Sequence, residues 1–141
     1  MSTPTLYIFS GLPASGKSTL AKLLSHRTGA MYARIDTVEQ GIRELCNFKV
    51  EGEGYRLSYR IIRENLALGL SAISDSCNPV ELTRHEWQEV AESVGAKFVN
   101  IEVRCSNAKE HKHRVNTRKS EVCDHQAILS YRNYQATLSF A

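Results

Sequence analysis

Three features of the sequence predict an α/β fold, a three-layer doubly wound parallel sheet. A short apolar run, Leu6-Tyr7-Ile8-Phe9, feeds a glycine-rich bend and then a helical pattern. Two further short runs, residues 31–35 and 71–75, close on an acid at Asp36 and Asp75, and helical stretches separate all four candidate strands. Strands that alternate with helices build parallel sheets, since each return crossing needs a long connection. A length of 141 residues suits one domain with a real core.

The bend reads Gly11-Leu12-Pro13-Ala14-Ser15-Gly16-Lys17-Ser18, the phosphate-binding pattern G-x-x-x-x-G-K-S (Walker A). A polyphosphate is held only by many donors at once, and a chain wrapping it needs glycine where a side chain would block the approach; Gly11 and Gly16 meet that need. Successive backbone N–H groups form an anion-binding concavity, and the positive end of the following helix faces the same phosphates. Lys17 is placed to reach the terminal phosphates. Ser18 offers a hydroxyl to Mg²⁺, a cation that keeps most of its waters and takes few protein ligands. The candidate nucleotide contacts are therefore Gly11 through Ser18 together with Thr19.

Bulk properties narrow the setting. Hydrophobic residues make up 42% and charged residues 23%, ordinary for a globular protein, and a net charge of +3 permits a nucleic-acid partner without demanding one. Cys46, Cys77, Cys105 and Cys123 form no C-x-x-C pair and are read as reduced thiols. The first residues lack a signal-peptide pattern, and no apolar run is long enough to span a membrane, so a cytoplasmic location is expected. Nothing in the pattern speaks to oligomeric state.

Along the chain, Leu20, Leu23 and Leu24 gather on one helical face that Gly29 is placed to stop. The strand at residues 31–35 ends in Asp36, and ligands of open α/β sheets sit beyond the carboxyl ends of strands, so Asp36 is expected on the rim that carries the loop. Val38, Ile42 and Leu45 form the next apolar face and turn Arg43 away from it. A third helix carries Tyr55, Tyr59, Ile62 and Leu66 on one side and the exposed stripe Arg56, Arg60 and Arg63 on another. Residues 71–75 form the third strand, Asn78-Pro79 a helix start, and Thr83, Trp87, Val90, Ala91 and Val94 a buried stripe ending at Gly95. Residues 97–103 alternate as a fourth strand. Asn107 with Glu110 suits a capping box for a helix bearing Arg114, Arg118 and Lys119. Ile128, Tyr131, Tyr134 and Leu138 suggest a last, weakly periodic segment, and no closing strand and helix are recognisable.

With the loop, Asp36, Asp75 and an arginine-bearing helix in this order, the chain resembles the small P-loop kinases of the nucleoside/shikimate kinase-like group, nearest to the branch with polynucleotide 5′-hydroxyl kinase, chloramphenicol phosphotransferase and zeta-toxin-like kinases. The resemblance covers roughly Leu6 to Arg118. It implies a P-loop NTPase-type domain over residues 1–141, a lid near 106–120, ATP and Mg²⁺ as cofactors, and γ-phosphate transfer to a hydroxyl of a small molecule or a nucleic-acid 5′ end. Asp36 matches the family's general base. Asp75 matches the acid near the metal or the acceptor, Arg114 and Arg118 the lid arginines, and Arg43 falls in the acceptor region. An ATP-binding regulatory or degenerate module without transfer is the alternative reading. A GTP switch lacks its N-K-x-D motif here, and the spacing of His111, His113, Cys123 and His125 fits no zinc pattern.

Overall fold

The computed structural model describes residues 2–78, 81–105, 109–110, 112–113 and 134–140. Strand β1 (Thr5–Ser10) lies at the centre of a five-stranded sheet and pairs in parallel with β3 (Ala72–Asp75) on one side and β4 (Lys97–Cys105) on the other. Beyond β3 runs β2 (Met31–Arg34), also parallel. The order is β2-β3-β1-β4-β5, with the four parallel strands as the sequence predicts.

Alternation along β1 sends successive side chains to opposite faces and so builds two cores. Leu6 and Ile8 enter one with Ile35, Tyr59, Ile62, Leu66, Trp87, Val90 and Ala91, which come from α2 (Ile35–Cys46), α3 (Glu53–Ala67) and α4 (Glu81–Glu92). Phe9 enters the other with Ile73, Ile101, Val103 and Ala21 of α1 (Lys17–Thr28). Helices thus cover both faces, giving three layers. Trp87 is fully buried and meets Tyr59 edge to face, centroids 4.5 Å apart, a packing that fixes α3 against α4. Gly29 ends α1 in the left-handed region, its N–H donating to the Ser25 carbonyl at 2.8 Å.

Several local readings shift. Strand β2 stops at Arg34, so Asp36 lies in the first turn of α2 rather than at a strand end. Leu23 and Leu45 are exposed, because α1 and α2 each press only a narrow stripe inward. Strand β3, despite its polar Ser74, is buried along its whole length between β2 and β1. Strand β5 (Tyr134–Phe140) runs antiparallel to β4, with Val99 opposite Phe140 and Cys105 opposite Tyr134. Its sequence alternates with a period of two through Tyr134, Ala136, Leu138 and Phe140, a strand signal that the wider spacing from Ile128 and Tyr131 obscures. Among the described residues no helix is long and apolar enough to cross a membrane.

Candidate active site

The loop between β1 and α1 is shaped by backbone states that side chains rarely tolerate. Gly11 has φ +150, and a Cβ there would lie 2.4 Å from the Val103 carbonyl oxygen, so no larger residue fits. Gly16 has φ 93, and Ala14 takes a left-handed φ of 60, the kind of strained state that collects at ligand clamps. The Gly11 N–H donates to the Cys77 carbonyl at 3.3 Å and the Ser15 N–H to the Leu12 carbonyl at 3.3 Å, which ties the loop to the end of β3.

What the loop leaves open is anion-binding capacity. Helices α2, α3 and α4 each carry an acid in their first turn, whereas α1 carries none, so its N-terminal N–H groups face no acid in that turn. The Ser15 hydroxyl is buried with no hydrogen-bond partner among the described residues. Both features fit a bound phosphate.

Lys17 is nearly buried, and its Nζ lies 3.7 Å from Asp75 Oδ1 and 3.5 Å from Cys77 Sγ. The ion contact exceeds the roughly 2.7–2.9 Å of a charge-assisted bond, which leaves the ammonium able to turn toward a ligand. The other Asp75 oxygen, Oδ2, accepts from the Tyr32 hydroxyl at 2.5 Å. Burial first, and then the Asp75 charge, push Tyr32 far above its usual range, so it remains a phenol.

One cavity is lined by residues 12–18 of the loop together with Arg34, Asp36 and Cys77. The structure therefore brings Asp36 to the phosphate loop, as the topology predicts. Gly11 and Thr19 flank the cavity without lining it, and Asp75 sits beneath it, joined through Lys17 and Tyr32. Arg43 does not line it; its guanidinium lies 3.6 Å from Glu39 and donates to Gln40 at 3.3 Å on the flank of α2. Glu39 is pushed up by burial and by the nearby Asp36, with Arg43 opposing. Pro79, Asn107, Arg114, Arg118 and Lys119 lie outside the described residues, as do His111, Cys123 and His125. Among the described residues no group of three or more His, Cys, Asp or Glu side chains could hold a metal ion.

Sequence reasoning missed three contributors. Asn78, read as a helix start, is fully buried with φ 46, and its amide donates to the Phe9 carbonyl at 2.9 Å and to Ser10 Oγ at 3.0 Å while accepting from Ser76 at 2.9 Å. It fastens the chain after β3 to the end of β1. Arg34 and Cys77, the other two, line the cavity from the ends of neighbouring strands. Position at or just past the carboxyl end of a strand was the available signal for all three.

A family profile described as AAA domain (AAA_33) matches residues 6–134. The chain belongs to the AAA domain family. No curated protein matches this AAA-domain chain in sequence at a significant level. In structure it is similar to APS kinase CysC of Mycobacterium tuberculosis, solved with AMPPNP and APS, with a TM-score of 0.67 and 16% identity over 83% of this chain and 71% of that one. It is also similar to a chain of the Pnkp1/Rnl/Hen1 RNA repair complex, with a TM-score of 0.64 and 18% identity over 93% of this chain and 41% of that one. A gluconokinase from Sinorhizobium meliloti 1021 gives a TM-score of 0.53 and 17% identity over 87% and 71%. The fold is that of the P-loop kinases, the group that the sequence resembles.

Proposed function

We propose that this chain is an ATP-dependent kinase that transfers the γ-phosphate to a hydroxyl of a small-molecule or nucleotide-type acceptor. The observation that carries the reading is the single cavity in which the phosphate loop, Lys17 and the carboxylate of Asp36 meet. Phosphoryl transfer asks a protein mainly to position reactants and stabilise charge, and this cavity offers both. The loop N–H groups and the Ser15 hydroxyl, which has no partner among the described residues, would bind the β- and γ-phosphates, with Lys17 swinging from Asp75 to the terminal oxygens. Asp36, exposed on the rim, would accept the proton of the acceptor hydroxyl. Ser18, which lines the cavity with Asp75 behind it, suits a Mg²⁺ that needs few protein ligands. Such a cation, when bound, neutralises charge on the β- and γ-oxygens. Arg114 and Arg118 are assigned to the lid on the family pattern alone.

The APS kinase with its bound AMPPNP supports ATP as donor, and the RNA repair chain and the gluconokinase make nucleic-acid 5′ ends and polyols the first acceptors to try. The test incubates the protein with γ-labelled ATP and Mg²⁺ against pools of sugars and polyols, nucleosides, and oligonucleotides with a 5′-hydroxyl, with Lys17→Ala as blank. Label transferred to one pool, and absent from the blank, is the expected result. Tight Mg·ATP binding with no transfer to any pool would replace this reading with a silent nucleotide-binding module.

A further inference from the structure

We propose that Arg34 contacts the γ-phosphate of the bound nucleotide, a cation carried to the transferring group by strand β2 itself. The inference rests on the kinase reading of the cavity given above, whatever the acceptor. It starts from register. Arg34, the last residue of β2, stands opposite Asp75 of β3, which in turn stands opposite Phe9 of β1, so all three side chains belong to the sheet face covered by α1. Strand β2 is at the edge, two strand spacings or about 10 Å from β1 and its loop. The long stem of an arginine suits that span. A charged residue on an edge strand ordinarily faces water and discourages pairing with other chains, yet Arg34 is only 8% exposed and lines the cavity together with loop residues 12–18.

Charge and geometry then select the ligand atom. Among the described residues, the side chains that line the cavity carry two cations, Lys17 and Arg34, against one acid, Asp36, and the loop adds the positive end of α1. That excess suits a polyphosphate. The cations come from different elements: Lys17 from the first turn of α1, and Arg34 from the junction of β2 with α2, two residues before Asp36. Between them Ile35 turns into the opposite core, so Arg34 and Asp36 reach the cavity from one short stretch. A cation that arrives with the proton-accepting carboxylate meets the phosphoryl group nearest the acceptor, which is the γ-phosphate. As the acceptor oxygen bonds to that phosphorus, the bond to the bridging oxygen breaks and its electron pair leaves on ADP, while the acceptor proton passes to Asp36. A guanidinium beside the equatorial oxygens stays charged and keeps its parallel N–H donors throughout that exchange.

The experiment measures the affinity of the intact chain for ADP and for the triphosphate analogue AMPPNP, both with Mg²⁺, by displacement of a fluorescent nucleotide. Arg34→Met keeps an unbranched stem and removes the charge. Its affinity for ADP should stay within about twofold of wild type, while its affinity for AMPPNP should fall about tenfold or more, the worth of a charge-assisted contact. Arg34→Lys, which keeps the charge but not the fork, should lose less AMPPNP affinity than Arg34→Met and again spare ADP. It decides the matter where the Met variant does not fold. An Arg34 that merely holds β2 against β3 would, when replaced, weaken both nucleotides alike. Equal losses for both nucleotides, or wild-type AMPPNP affinity in the deciding variant, overturn the proposal and leave the kinase reading intact. A wild-type protein that binds neither nucleotide overturns both.

Discussion

The two halves of the cavity are built in opposite ways. On the nucleotide side, the loop is set by left-handed backbone at Ala14 and Gly16, by a glycine that admits no Cβ at position 11, and by the buried polar side chains of Ser15, Lys17, Asp75 and Asn78. On the Asp36 side, α2 buries only Ile35, and Asp36, Thr37 and Arg43 are exposed. Phosphates are the same in every nucleotide, so their holder can be a fixed backbone shape inside the core. On the proposed reading, recognition of a particular hydroxyl acceptor would instead come from the exposed side chains of this lightly anchored helix. The division explains why the phosphate half can be recognised from a short motif and the Asp36 side cannot.

The contrast can be broken most forcefully at Asn78. Replacing it with Ala strands the Phe9 carbonyl, Ser10 and Ser76 in the interior, where each unsatisfied group costs on the order of 1–3 kcal/mol. Asn78→Ala should therefore lose about 2–3 kcal/mol in urea unfolding, with weaker ATP binding as the loop loosens. If stability and ATP affinity both hold, the loop's rigidity has another source.

A smaller effect is expected from the opposite half. Glu39 lies between α2 and α3, where burial and Asp36 raise its proton affinity in the folded state. The native state then binds that proton more tightly than the unfolded chain, so this group lowers stability as pH rises from the unfolded carboxyl value through the raised folded one. Glu39→Gln removes that penalty. It should melt slightly higher than wild type at pH 7, the difference closing below about pH 4, while ATP affinity is unchanged. A lower melting temperature at pH 7 would mean that the half-exposed contact with Arg43 outweighs burial.

Much of the nucleotide half was legible in the sequence because its signals are local. Gly11 through Ser18 are contiguous, the four parallel strands alternate with helices, and the stripe Tyr59, Ile62 and Leu66 is buried as its spacing requires. What escaped depends on neighbours distant in the chain. Tyr32 reads as one apolar residue in a short strand until the register sets it beside Asp75, 43 residues on. Asn78 carries a helix-start signal in Asn78-Pro79, and its buried position follows only from the return of β3 beside β1. Strand β5 was missed because a helical spacing and a two-residue alternation overlap at Tyr134 and Leu138. Arg43 faces away from its helix's apolar stripe, as expected, but lies seven residues past Asp36 on the flank, where no periodicity could tell cavity from solvent.

The central claim, that Asp36 faces the phosphate loop as the proton acceptor of a transfer reaction, is tested most directly by measuring ATP affinity and acceptor turnover together in Asp36→Asn. Once an acceptor is known, turnover should fall by about 10²–10⁴-fold, the range of general-base catalysis, while ATP affinity stays within about twofold of wild type. Turnover at the wild-type rate would contradict the account.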